Sequence, residues 1–323
     1  MKDLWRRWGW LVRWGGTALG LAYIATVIDL EGVERGFSHL SLTALVAAVV
    51  VIAGGVMAGV LRWRSLLIAY HARSVPRLSK LTRLYFIATF YNSYLPTGLV
   101  GDIMRGVVSR ESFGEHGTTG ALAVVFVERA LGLFAVFVLV MAGLLAAGAT
   151  LGDHQSLWWW SIIGVAGALA CVLALPFGRK VAPFLPAPLA AVAERLPSVT
   201  RPLQFGSATL LSLATQLAMT IAGWLLLRDL DPSVSFNAAL LVVPLAAATS
   251  YLPITISGVG AREAVFVALC GRLFGMPAND AVAASLMLWL VILIVAAVGG
   301  VWQIASRKSL DPGVVVEPPP GSH

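Results

Sequence analysis

Ser93-Tyr94-Leu95-Pro96 recurs 157 residues later as Ser250-Tyr251-Leu252-Pro253, and the likeness continues beyond the prolines. Gly101 and Gly258 each follow their proline by five residues, and Arg105 and Arg262 by nine, giving six identities over thirteen positions. Each copy lies in the middle of an apolar stretch, about 80–110 and about 237–275, that is too long for one membrane helix. Pro and Gly at the centre break the helix, because proline removes a backbone donor and clashes with the preceding turn. Irregular backbone at membrane depth is tolerated only where protein or a wet cavity covers it. Each stretch therefore reads as a re-entrant hairpin, two half-helices that enter and leave on the same side.

The rest of the chain supplies the membrane. Of its 323 residues 58 % are apolar and 12 % charged, with a mean hydropathy of +0.84. Soluble domains run near 45–50 % apolar and about 25 % charged. That excludes a soluble domain, a disordered chain and a disulfide scaffold; Cys171 and Cys270 both lie in apolar runs and read as packing residues. A bilayer core about 30 Å thick needs about 20 apolar residues per helix. Six runs meet that need: Trp10–Asp29, Leu42–Leu61, Leu122–Ala147, Leu157–Leu175, Ala208–Leu227 and Ala281–Ile304. The expected fold is an all-α integral membrane protein with six transmembrane helices and two re-entrant helical hairpins. It forms one domain over residues 1–310, followed by a disordered cytoplasmic tail, 311–323.

The net charge of +7 is a topology signal. Of 23 basic residues, 17 fall in segments on one side of this layout, among them Arg6, Arg7, Arg13, Arg62, Arg64, Arg77, Lys80, Arg110, Arg201 and Arg307. Only Arg35, Arg228 and Arg272 fall in segments on the other side. Basic loops stay in the cytoplasm, so both termini are expected there, and no nucleic-acid partner is implied. The first apolar run exceeds the h-region of a signal peptide and reads as an uncleaved helix. Trp5, Trp8, Trp10 and Trp14 read as its interfacial anchor, and Trp158–Trp160 as an outer aromatic belt.

The 157-residue offset maps the first span onto the fourth, the second onto the fifth, and the third onto the last. Each half, about 9–148 and 157–304, then holds two spans, a hairpin and one span. Three crossings is an odd number, so the second half is inserted upside down. Inverted repeats with broken helices meeting near the midplane characterise secondary transporters. The bland alternative is a duplicated structural membrane protein.

Asp102, Arg105, Glu128, Arg129, Arg262 and Glu263 fall inside the apolar blocks. Each costs about 2.5–3.5 kcal/mol at a helix centre on insertion scales, so each should face the interior, pair, or meet substrate. Asp102 and Arg105 stand three apart on a helix and can touch. Glu128 and Arg129 are adjacent, point about 100° apart, and need separate partners. After Pro96, residues Gly98 and Gly101 open a half-helix whose free N–H groups suit an anion. After Pro253, residues Thr255, Ser257, Gly258 and Gly260 do the same from the other face. The glycines are expected to let a ligand approach the backbone. Arg105, Arg129 and Arg262 add forks that fit phosphate, and Asn92 and Tyr94 can hydrogen-bond a head group. In the competing reading these charges only pair with one another and hold the hairpins. No metal-ligand spacing, nucleophile motif or nucleotide loop occurs, so no cofactor and no catalysis are expected.

At these residues the chain resembles a known family. Asn92-x-x-Leu95-Pro96 followed by Gly101-Asp102-x-x-Arg105, then Glu128-Arg129-x-x-Gly132, then Gly258-x-Gly260-x-Arg262-Glu263, resemble the transmembrane domain of lysylphosphatidylglycerol synthases, the flippase-like family. Many relatives carry Gly-Gly-Asp where this chain has Val100-Gly101-Asp102. The resemblance spans nearly the whole chain and implies translocation of a phosphate-bearing lipid across a bacterial cytoplasmic membrane. The soluble synthase domain is not in this chain, so aminoacylation of lipid is not expected. Two other classes stay open: a scaffold that presents a lipid to a lipid-modifying enzyme, and an intramembrane transferase with Asp102, Glu128 or Glu263 as base.

Overall fold

The computed structural model describes residues 29–70, 75–95, 98–110, 112–113, 117–147, 155–174, 182–184, 199–251 and 258–307, with isolated positions elsewhere. Among these the elements are helical and no strand occurs. In chain order they are α1 (Leu30–His39), α2 (Leu42–Ala69), α3 (Leu78–Tyr94), α4 (Val100–Val108), α5 (Gly117–Ala147), α6 (Gln155–Ala174), α7 (Pro202–Leu230), α8 (Phe236–Ala248), α9 (Ala261–Phe274) and α10 (Ala278–Arg307). Helices α2, α5, α7 and α10 are long and apolar enough to cross a membrane. They contain four of the six predicted spans. A fifth, Leu157–Leu175, falls on the 20-residue helix α6, whose apolar part is the shorter stretch Ile162–Ala174; Leu175 lies outside the described residues. The first, Trp10–Asp29, lies outside the described residues apart from isolated positions, as do the tryptophan anchor and the tail. The chain is an integral membrane protein built from helices.

Each broken stretch holds two helices. Helix α3 ends at Tyr94 and α4 starts at Val100, while α8 ends at Ala248, a 3-10 turn covers Thr249–Tyr251, and α9 starts at Ala261. Pro96 and Thr97, and residues 252–257 including Pro253, Thr255 and Ser257, lie outside the described residues. Within each pair the two arms pack on each other. In the first pair the approach is extreme: a Cβ on Gly101 would lie 1.9 Å from the carbonyl oxygen of Ala88. Gly101 is thus required for closing the hairpin on itself. The expectation that it admits a ligand is corrected, because the space it leaves is filled by α3 backbone. Gly101→Ala should lower stability by about 1–3 kcal/mol, the usual cost of overpacking, seen as a lower melting temperature of the detergent-solubilised protein.

Helices α2 and α7 run antiparallel along their whole length. The backbone N–H and hydroxyl of Ser41 donate to the Asp229 carboxylate at one end. Gly55 meets Ala218 midway, and Thr200 N–H donates to the carbonyl of Ala69 at the other end, 2.9 Å away. Gly55 and Ala218 make a close small-residue contact. Gly59, one turn on, makes room for the ring of Tyr85. Asp29 N–H bonds Asn279 Oδ1, 3.0 Å, which sets α1 and the start of α10 at the Ser41 end.

The 157-residue offset reappears in the packing. Gly143 of α5 accommodates Leu240 and Leu241 of α8, and Gly300 of α10 accommodates Phe90 of α3. The two glycines are 157 apart. The first arm of each broken pair therefore lies on the last long helix of the other half. Asn92 bonds the backbone of Gly101 in one half. Thr249 and Ser250 crowd Gly258, at the same offset, in the other.

Candidate functional site

Seven residues line a cavity of about 140 Å³: Arg62, Tyr85, Asn92, Asp102, Arg105, Glu128 and Arg129. Helix α2 supplies Arg62, α3 supplies Tyr85 and Asn92, α4 supplies Asp102 and Arg105, and α5 supplies Glu128 and Arg129. Each element has a local reason for its aim. Tyr85 and Asn92 stand seven apart, two turns of one face. Asp102 and Arg105 share the short helix that follows the break.

Arg105 is the centre of the site. Its Nη1 donates to Glu128 Oε2, 3.0 Å, and its Nη2 to Asp102 Oδ1, 2.6 Å. Its guanidinium carbon lies 4.4 Å from the centroid of the Tyr85 ring and 5.0 Å from that of Trp63. Glu128 Oε1 accepts from Arg62 Nη2, 2.7 Å, and from the Tyr85 hydroxyl, 3.0 Å. Arg62 also reaches across to α7, where Ser212 and Thr215 accept from its Nη1. Asp102 Oδ1 takes a further bond from Asn92 Nδ2, 3.1 Å, and Oδ2 is held by Arg129 Nε, 2.8 Å. Arg129 Nη2 also donates to the carbonyl of Gly98, 2.9 Å. Gly98 has φ +61°, a left-handed turn that glycine adopts freely.

The expected pair Asp102–Arg105 forms, and Glu128 and Arg129 do find separate partners. Three guanidiniums face two carboxylates, so the lining carries a formal charge of +1. Exposure separates the members. The side chains of Arg105, Glu128, Asp102 and Arg62 are at most 11 % exposed, whereas that of Arg129 is 33 % exposed. Among the five charged members Arg129 is the most exposed. Beside it, Leu99, Ile103 and Val107 recur every fourth residue on the outer face of α4, and Leu122 and Phe126 are exposed on α5. A buried, positively charged cavity thus opens beside a bare apolar surface.

Three expectations need correction. Arg62 is a cavity residue and not a loop charge: α2 continues to Ala69, well past the apolar run that seemed to end at Leu61. The Tyr94 hydroxyl does not line the cavity but donates to the carbonyl of Leu293 on α10, 3.1 Å. The half-helix ends do not present all their donors to a ligand either. Gly101 N–H is taken by Asn92 Oδ1, 2.8 Å, and Gly260 N–H by Glu263 Oε2, 2.7 Å.

Arg262 and Glu263 do not line this cavity. They form their own buried pair on α9, joined by the hydroxyl of Ser285 on α10. Arg62, Tyr85 and Ser285 escaped the sequence reading. For Arg62 the signal was present, since Leu66-Leu67-Ile68-Ala69 resumes the apolar run after it.

Among protein families, the model of the lysylphosphatidylglycerol synthase TM region matches residues 13–300. No curated protein matches the chain.

Proposed function

Because the chain belongs to the lysylphosphatidylglycerol synthase TM family, we propose that it moves a phosphate-bearing lipid between the leaflets of the membrane. The observation that carries this reading is the cavity with three arginines and two carboxylates. Burying five charges is costly in lipid, and a net positive lining is completed by an anion. Arginine forks match phosphate oxygens, and Arg129 stands where a head group would arrive. The apolar face of Leu99, Ile103 and Val107 gives acyl chains a surface to follow while the head group is in the polar interior. In this reading the chain makes and breaks no covalent bond. Any lipid-modifying enzyme acts before or after it.

The antiparallel α2–α7 seam and the exchanged contacts of the hairpin arms support two halves of opposite orientation that rock against each other. Charge supports placing the Ala69–Thr200 end in the cytoplasm, since Arg77, Lys80 and Arg201 gather there and Arg35 and Arg228 are at the other. Both termini are then cytoplasmic in a bacterial cytoplasmic membrane. Single cysteines at positions 35 and 232 should label from outside and one at 75 from inside. Labelling of position 232 from the cytoplasm alone would overturn the inverted orientation.

The deciding experiment uses proteoliposomes with a fluorescent phosphodiester lipid and a membrane-impermeant quencher. Protein should bring the protected inner-leaflet lipid within reach of the quencher. Binding without exchange would favour the scaffold reading, and turnover of a prenyl-phosphate donor the transferase.

A further inference from the structure

The two halves keep one frame and differ in charge. Arg105 and Glu128 correspond, at the 157-residue offset, to Arg262 and Ser285. Both pairs are in contact: Arg105 Nη1 to Glu128 Oε2 at 3.0 Å, and Arg262 Nε to Ser285 Oγ at 3.1 Å. An aromatic ring flanks each arginine, Tyr85 in the first half and Trp289 in the second. The other cavity positions are not kept. Arg62, Tyr85, Asp102 and Arg129 correspond to Met219, Val242, Val259 and Leu286. One charge is gained, because Glu263 stands where the first half has Gly106.

That added carboxylate neutralises its surroundings. One oxygen of Glu263 accepts from Arg262 and from the Ser285 hydroxyl, and the other accepts from Gly260 N–H. The first-half cavity carries three guanidiniums and two carboxylates, and the hydrogen-bonded cluster on α9 and α10 carries one of each, Arg262 and Glu263. An anion approaching Arg262 would meet Glu263 at contact distance and find that arginine already matched.

We propose that Glu263 denies the second half an anion site, so that the chain holds one phosphate head group, in the first half alone. The proposal rests on the reading that the first cavity takes an anion. It assigns the second hairpin a neutral joint in place of a second landing point for the lipid.

Counting bound ligand tests it. The purified full chain in detergent is mixed with dihexanoyl phosphatidylglycerol, and bound molecules per chain are counted by native mass spectrometry. The parent should hold one. Glu263→Gln keeps one acceptor oxygen, for Arg262 or for Gly260 N–H but not for both, loses the charge, and should hold two. Leu286→Arg transplants the Arg129 charge to a half-buried position and should also raise the count to two, giving the same readout if Glu263→Gln does not fold. Arg129→Leu should hold none, and Arg129→Leu combined with Glu263→Gln should hold one. A parent that holds two, or folded Glu263→Gln and Leu286→Arg variants that both hold one, would overturn the role of Glu263. A parent that holds none would overturn the anion reading of the first cavity itself.

Discussion

Glu128→Ala is expected to leave little folded protein. Glu128 is held by Arg62 on one oxygen and Arg105 on the other, with the Tyr85 hydroxyl as a third donor. Removing it sets two buried guanidiniums side by side without their shared carboxylate. Breaking a buried pair from one side costs about 3–5 kcal/mol, against a total stability of about 5–15 kcal/mol. The loss should be read as a fall in melting temperature and in yield from detergent extracts. Replacing Arg62, Arg105 and Glu128 together by Met should recover much of it, because apolar groups of similar volume then fill the space and Asp102 keeps Arg129, so no charge is left uncompensated. A Glu128→Ala melting temperature within about 2 °C of the parent would mean the network contributes less than about 1 kcal/mol.

Arg129→Ala should do the opposite: spare the fold and stop transport. Its side chain is one-third exposed, and Asp102 keeps Arg105 and Asn92 when Arg129 is gone. The lining then falls from +1 to neutral. A hydrogen bond to a charged group is worth about 1.5–3 kcal/mol, so translocation of a phosphodiester lipid should slow roughly 10- to 150-fold. Lys at this position should restore only part of the rate, since an ammonium cannot bond Asp102 through two nitrogens while reaching Gly98 and the lipid. Parental rates from a folded Arg129→Ala protein would remove the head-group role from this residue.

Local rules made much of this legible in the sequence. The division of each broken stretch into two helices, the four long helices, and the Asp102–Arg105 contact follow from helix spacing and from what lipid forbids. The separate partners of Glu128 and Arg129 follow from about 100° per residue. What the sequence hid depends on packing between distant elements. Arg62 looked like a helix-end charge because hydropathy falls at Arg62-Trp63-Arg64, yet its partners Glu128, Ser212 and Thr215 lie 66, 150 and 153 residues away. Gly101 looked like a ligand contact because glycine near a helix start usually admits one. The backbone of Ala88 fills that place, which only the folded hairpin reveals.

The reciprocal seating of the helical arms ties the two halves to each other. Gly143 receives α8 and Gly300 receives α3, so each copy of the repeat buries its arm on the opposite copy. That is the geometry of an isologous dimer, in which one patch meets its own image. Each half therefore supplies the surface on which the other's first arm rests, and neither arm is seated without the other half. The mutual seating leaves the polar positions outside it free to differ, as Glu128 and Ser285 do.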